Sequence, residues 1–114
     1  MDRDQITQVL LNIMLNGLDV LKEKGTLLIR TFLKRDHNVL VIEIEDNGPG
    51  IPGEDLSKIF DPFYTTKRTG TGLGLAIAYR IIEKHEGTLT AINKPGAGSI
   101  FHIELPLITE KENE

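Results

Sequence analysis

Residues 69–87 read "TGTGLGLAIAYRIIEKHEG", with glycine at the alternate positions Gly70, Gly72 and Gly74, set directly against an apolar helical face of Leu75, Ile77, Ala78, Ile81 and Ile82 that Gly87 terminates. Glycine removes the side chain, so the main-chain amides can approach another group closely. Amides that run into a helix N-terminus have N–H groups without intrahelical partners and lie at the positive end of the helix dipole, which makes such a segment an anion site. Lys67 and Arg68 stand just ahead and add positive charge. A polyphosphate is the guest that suits this combination; a flexible loop is the bland alternative. The G-x-G-x-G spacing after charged residues does not match the dinucleotide fingerprint, and the chain has neither a Walker A loop nor a protein-kinase catalytic-loop signature.

The rest of the chain supplies the frame. In "DRDQITQVLLNIMLNGLDVLKEKG", Asp2 and Gln5 have capping-box spacing, and Ile6, Val9, Leu10, Ile13, Met14, Gly17, Leu18 and Leu21 recur at helical intervals until Gly25. Gln5, Asn12, Asn16 and Asp19 fall on one polar strip at the rim of that apolar face. Residues 26–46 read as an antiparallel hairpin, "TLLIRTFLK" and "VLVIEIED" joined by "RDHN", in which Leu40, Ile42 and Ile44 alternate with Val41, Glu43 and Glu45. A glycine and proline turn, "DNGPGIP", follows, then a short helix over Glu54 to Ile59. A second hairpin, "TLTAIN" and "SIFHIELPL" around "KPGAG", closes the fold. This order predicts an α+β fold, a two-layer sandwich with an antiparallel-dominated sheet and helices on one face. No repeat or linker divides it, so one domain is expected over 1–108 with a solvated tail at 109–114.

Composition narrows the function classes. Thirteen Lys and Arg against 17 Asp and Glu give a net charge of −4, and the basic residues are scattered, so no nucleic-acid surface is expected. Absence of cysteine excludes disulfide scaffolds and thiolate metal sites. No apolar run is long enough to insert in a bilayer, and Met1 is followed by Asp-Arg-Asp, unlike a signal sequence, so a cytoplasmic domain is expected. A chain that opens directly into a helix signal reads as a fragment of a longer protein.

Two further stations point to a nucleotide. Asp46 ends an apolar strand beside a glycine turn, where a carboxylate suits an acceptor role such as binding the exocyclic amine of adenine. Asn12 and Asn16, one helical turn apart, offer neutral oxygens of the kind that Mg²⁺ accepts while keeping waters and phosphate ligands. Each has a structural reading as well, an asparagine at a helix rim being commonly bonded to main chain.

In order and separation, "QVLLNIMLNGLDVL", "DNGPGI", "IFDPFYTTK" and "GTGLGLAIAYRIIEKHEG" resemble the N, G1, F and G2 boxes of the GHKL ATP-binding fold of two-component sensor histidine kinases, and "GAGSIFHIELP" is similar to that family's closing strand. The resemblance covers essentially the whole chain. It implies the Bergerat fold, with a mostly antiparallel mixed sheet, and Mg²⁺ with ATP or ADP as cofactors. It implies that Asn16 ligates Mg²⁺, that Asn12 lies near the phosphates, and that Asp46 binds adenine above a floor shaped by Gly48 and Gly50. Lys67 would reach the terminal phosphates, the amides around Gly72, Leu73 and Gly74 would wrap them, and Ser99 would contact adenine through water. The implied nucleotide-binding set extends within the same boxes to Ile51, Phe60, Tyr64, Thr65, Thr66, Gly70 and Thr71. The segment between Phe63 and Gly70 resembles the short lid of nitrogen-regulation-type kinases, and it is expected to order around the phosphates.

Fold alone does not decide among GHKL functions. Related ATPases typically carry a water-activating glutamate where this chain has Asn12, which cannot act as a general base. Phosphoryl transfer to a protein histidine needs no such base, because a neutral imidazole nitrogen is already nucleophilic. Catalytic roles therefore fall to Asn12, Asn16 and Lys67. His37 reads as a turn residue, His102 as a strand residue and His85 as a helix-end residue favoured by the dipole, so the acceptor histidine is expected on a separate dimerisation domain, with a response regulator downstream and a parent protein that can be membrane-anchored. The alternatives are a nucleotide-binding regulatory module without transfer, and an ATPase clamp. The family's usual first helix and strand have no counterpart here, Gly17 stands where alanine is common, and Glu86 where glycine is common.

Overall fold

Asp2 starts the first helix. Its Oδ1 accepts the Gln5 N–H at 3.0 Å, satisfying a donor that the first turn leaves unpaired, and α1 runs Arg3–Leu21. The reciprocal half of the expected capping box is replaced: the Asp2 N–H donates to His85 Nε2 at 3.0 Å. The computed structural model describes residues 2–21, 25–51, 53–61, 74–94 and 98–107, with main chain alone for 17–21. The expected phosphate segment from Lys67 to Leu73, the lid and the tail at 109–114 lie outside the described residues, as does the centre of the KPGAG turn.

Strands β1 (Leu27–Lys34) and β2 (Val39–Asp46) form the expected hairpin, in register from Leu27↔Asp46 to Lys34↔Val39. Its turn is closed by Asn38 at φ 54°, a left-handed conformation that asparagine tolerates. β3 (Thr88–Asn93) and β4 (Ser99–Pro106) form the second hairpin, and β4 pairs antiparallel with β2, giving the order β1-β2-β4-β3. Every pairing among the described strands is antiparallel, so the mixed component that the resemblance implied is not among them. Two hairpins are antiparallel by construction, and β4 enters between β2 and β3 running opposite to both.

The expected helix at Glu54–Ile59 is instead a 3-10 turn, Gly53–Asp55, continued by further turns. Lys58 N–H bonds Asp55 O at 2.8 Å and Asp61 N–H bonds Lys58 O at 2.9 Å, an i to i+3 pattern. So short a segment gains too few α-helical bonds to offset nucleation, and the tighter winding delivers Ile59 and Phe60 to the core.

Helix α2 spans Gly74–Lys84. Val9 and Ile13 of α1 and Ala78 and Ile82 of α2 cover one sheet face, made of Ile42, Ile44, Leu89, Phe101, Ile103 and Leu105. α2 ends in a Schellman pattern, with Gly87 N–H on Ile82 O and Glu86 N–H on Glu83 O, both at 2.9 Å. The left-handed residue is Glu86 at φ 61°. Gly87 is needed for a different reason: a Cβ there would stand 2.3 Å from the Glu104 carbonyl oxygen of β4.

The opposite sheet face carries a row of ion pairs. Lys94 Nζ meets Glu45 at 2.7 Å, Arg30 bridges Glu45 at 2.8 Å and Glu43 at 3.4 Å, and Lys34 meets Glu104 at 3.0 Å. His102 sits between Glu43 and Glu104, at 2.9 and 2.8 Å. Burial disfavours its charged form, but hydrogen bonds to Glu104 and Glu43 outweigh that and hold its pKa above the ordinary value. β1 forms an edge of this sheet, with Leu28, Ile29, Phe32 and Leu33 about half exposed. Among the described residues no helix is long and apolar enough to cross a membrane.

Candidate nucleotide site

Strand alternation decides where Asp46 goes. It follows Ile42 and Ile44 at period two on the helix-covered face of β2, and is 5% exposed. The register sets it opposite Ser99, itself 3% exposed, at the start of β4. Ser99 Oγ donates to Asp46 Oδ2 at 2.7 Å, and the Gly48 N–H donates to Oδ1 at 2.9 Å. An ionised carboxylate has about four lone-pair sites, so these two bonds leave room for a ligand donor. Ser99, which the resemblance sets near adenine, thus has its hydroxyl on Asp46.

Glycines let the turns pack closely at this end of β2. Gly98 has φ 97°, and a Cβ on it would lie 2.0 Å from the Asp46 carbonyl oxygen. Gly50 has φ 84°, and its Cβ would meet Asn93 Oδ1 at 3.0 Å. Asn93 is a residue that sequence reasoning missed. Its carboxamide grips the Ile51 main chain from both sides, Nδ2 donating to Ile51 O at 2.6 Å and Oδ1 accepting the Ile51 N–H at 2.7 Å. Only its position at a strand end before a glycine turn could have hinted at this. Asn47 likewise pins the start of β1, accepting the Thr26 N–H at 2.8 Å.

The second group lies in the helix layer. Asn12 Nδ2 donates to the Gly74 carbonyl at 3.0 Å, and Asn12 Oδ1 accepts from Gln8 Nε2 at 2.8 Å. Asn12 therefore fastens α1 to the first residue of α2, where the glycine segment ends. A Cβ on Gly74 would meet Asn12 at ordinary contact distance, 3.9 Å. Asn16 is partly buried one turn further along α1.

Asp46, Gly48, Gly50, Ile51 and Ser99 thus gather at the joined ends of β2 and β4, while Asn12 and Gly74 share the α1–α2 contact and Asn16 lies one turn along α1. Phe60 belongs to the packing beneath: its ring stacks on Tyr79 at 5.3 Å and meets Phe101 edge-on at 6.2 Å. Tyr64, Thr65, Thr66, Lys67, Gly70, Thr71, Gly72 and Leu73 lie outside the described residues. Among the described residues no group of three or more His, Asp or Glu side chains could hold a metal ion.

The histidines are committed elsewhere. His37 is in the hairpin turn, and both ring nitrogens of His102 face glutamates. At His85, Nδ1 lies 2.8 Å from the Ile81 carbonyl while Nε2 accepts the Asp2 N–H, which requires the neutral Nδ1–H ring. The expected attraction of a charged ring to the helix dipole is therefore replaced by a neutral bridge between two helices.

The family described as histidine kinase-, DNA gyrase B-, and HSP90-like ATPase matches residues 1–109. The chain is 45% identical over 106 residues to the signal transduction histidine-protein kinase AtoS of Escherichia coli K12, covering 93% of this chain and 17% of that protein. It is 40% identical to the sensory histidine kinase/phosphatase NtrB of Rhodobacter capsulatus, covering 93% of this chain and 33% of the relative. The nucleotide-free catalytic domain of histidine kinase ThkA superposes with a TM-score of 0.83 at 39% identity, covering 92% of this chain and 68% of that one. The chain thus spans a third or less of the length of these two full-length relatives.

Proposed function

The chain belongs to the histidine kinase-, DNA gyrase B-, and HSP90-like ATPase family, as a catalytic domain of the histidine-kinase type, and from that premise we propose that it binds Mg²⁺–ATP and transfers the γ-phosphoryl group to a histidine on a separate dimerisation domain. The observation that carries the nucleotide reading is the buried Asp46 carboxylate, held by Ser99 and Gly48, with Gly98 packed against the Asp46 main chain. A buried carboxylate that accepts only two hydrogen bonds from the described residues suits the exocyclic amine of adenine. Gly50, Ile51 and Asn93 form the wall beside it.

At the phosphate end, the amides of Gly72, Leu73 and Gly74 with the α2 N-terminus would hold the phosphates, and Lys67 would neutralise the γ-phosphate. Tyr64, Thr65, Thr66, Gly70 and Thr71 would complete the enclosure. Asn16 fits Mg²⁺ as a single neutral oxygen donor, the remaining positions coming from phosphate and water. When bound, the ion would supply charge neutralisation across the phosphates.

The transfer itself asks little of the protein beyond positioning. A neutral imidazole nitrogen attacks the γ-phosphorus in line, the bond to the β–γ bridging oxygen breaks, and ADP leaves as phosphohistidine forms. Asn12 contributes no proton transfer, since a carboxamide is not a base, and its atoms already engage Gly74 and Gln8. That disfavours steady water attack and hence the ATPase clamp. We further propose one domain over 1–108 with a tail at 109–114, a cytoplasmic location, and a response regulator as the downstream partner.

The test is transfer from γ-labelled ATP and Mg²⁺ to the parent protein's dimerisation domain supplied in trans. Acid-labile phosphohistidine on the acceptor is expected. Nucleotide binding without transfer would favour the regulatory module, and ADP release without an acceptor would favour the clamp.

A further inference from the structure

The proposed chemistry leaves Gln8 unused, yet it touches the residue that joins the two halves of the phosphate end. The partners fix which carboxamide atom is nitrogen and which is oxygen. The Gly74 carbonyl can only accept, so the Asn12 atom 3.0 Å from it is the donor Nδ2. The other Asn12 atom is then Oδ1, so the Gln8 atom 2.8 Å away must be the donor Nε2. Gln8 and Asn12 are four apart on α1, the spacing at which helix side chains meet. Turning the Asn12 carboxamide over would oppose oxygen to the Gly74 carbonyl and break that bond, and would set nitrogen against nitrogen at Gln8 unless the Gln8 carboxamide turned with it.

We propose that Gln8 is a positioning residue for the phosphate end of the nucleotide site: it locks the orientation of the Asn12 carboxamide, and Asn12 in turn fixes the Gly74 peptide at the N-terminus of α2. This rests on the nucleotide-binding reading given above. The Gly74 carbonyl belongs to the first residue of the helix whose N-terminal amides are assigned to the phosphates. If that peptide swings, the amides swing with it, and a preformed anion site becomes one that must be ordered on binding. Gln8 is exposed and outside the core, so its role concerns orientation and not folding.

The test compares native chain, Gln8→Met, Asn12→Ala and the double variant by calorimetric titration with ADP and Mg²⁺, alongside side-chain amide NMR of Asn12 without nucleotide. Methionine has nearly the length of glutamine and no charge, but cannot donate. Loss of one neutral hydrogen bond predicts affinity weaker by roughly twofold to tenfold in Gln8→Met, with the melting temperature lowered by no more than about 2 °C and altered Asn12 carboxamide resonances. In the Asn12→Ala background Gln8→Met should add nothing, because the residue acts only through Asn12. Native affinity in Gln8→Met, or an equal loss with and without Asn12, overturns the proposal. If the native chain binds no ADP, the nucleotide reading fails. The Asn12 resonances then still decide the lock, an unchanged Asn12 signal in Gln8→Met overturning it.

Discussion

Replacing Glu86 by glycine should stabilise the fold, and replacing its neighbour Gly87 by alanine should do the opposite. Glu86 holds φ 61° at the end of α2, a conformation that costs a residue with a side chain about 1–2 kcal/mol. Glycine relieves that strain but loses more freedom on folding, about 0.5–1 kcal/mol. Removing a carboxylate from a helix C-terminus adds about 0.3 kcal/mol in the same direction. The net gain for Glu86→Gly is about 0.8–1.3 kcal/mol, or a rise of roughly 3–5 °C in melting temperature for a domain of this size. At Gly87 a Cβ would lie 2.3 Å from the Glu104 carbonyl, 3.0 Å from Leu105 Cδ2 and 3.1 Å from Ile82 Cγ2. Leu105 and Ile82 are each 1% exposed and cannot swing aside, so Gly87→Ala should cost at least about 1–3 kcal/mol through overpacking. Urea unfolding of both variants beside the native chain measures this directly. If Glu86→Gly destabilises, or Gly87→Ala is neutral, the division of labour between the two positions is wrong.

Two other variants probe the site and the outer face. Gly98→Ala places a methyl 2.0 Å from the Asp46 carbonyl at φ 97°, so it should cost more than the roughly 1–2 kcal/mol of backbone strain alone and weaken ADP binding; native stability would refute the close approach. His102 has a raised pKa, so its contribution is complete below about 6.5 and is lost as pH rises through the higher folded value. Hydrogen bonds from His102 and Lys34 hold Glu104 low, and one from Lys94 holds Glu45 low, so their contributions are present above about 4.5 and are lost as pH falls through the lower folded values. The ion-pair row should therefore stabilise most between these limits. The melting-temperature difference between native and His102→Gln should shrink as pH rises from 6 to 9, and a constant difference would contradict the assignment.

Elements whose signal is local were legible in the sequence. Helical spacing gave α1 and α2, and period-two alternation gave β2, because each pattern reports directly on which face is buried. Asp46 and the glycine turns could be singled out for the same reason, since residue type and neighbours announced them. Contacts between distant segments were not legible. Nothing local indicates that His85 would take the Asp2 N–H, that Asn93 would grip Ile51, or that Asn12 would bond the Gly74 carbonyl. Gly87 reads as a helix stop and is one, but its necessity comes from β4 passing against it, which depends on strand order. The short helix failed because its length, and not its composition, set the outcome.

The central claim, a nucleotide site anchored on Asp46, is tested most directly by titrating ADP into the native chain and into Asp46→Asn, each with and without Mg²⁺. Saturable binding that strengthens with Mg²⁺, and falls at least about tenfold in the variant as a charge-assisted hydrogen bond is lost, is the expected result. Native affinity in a folded Asp46→Asn variant, or no binding by the folded native chain, would contradict the account.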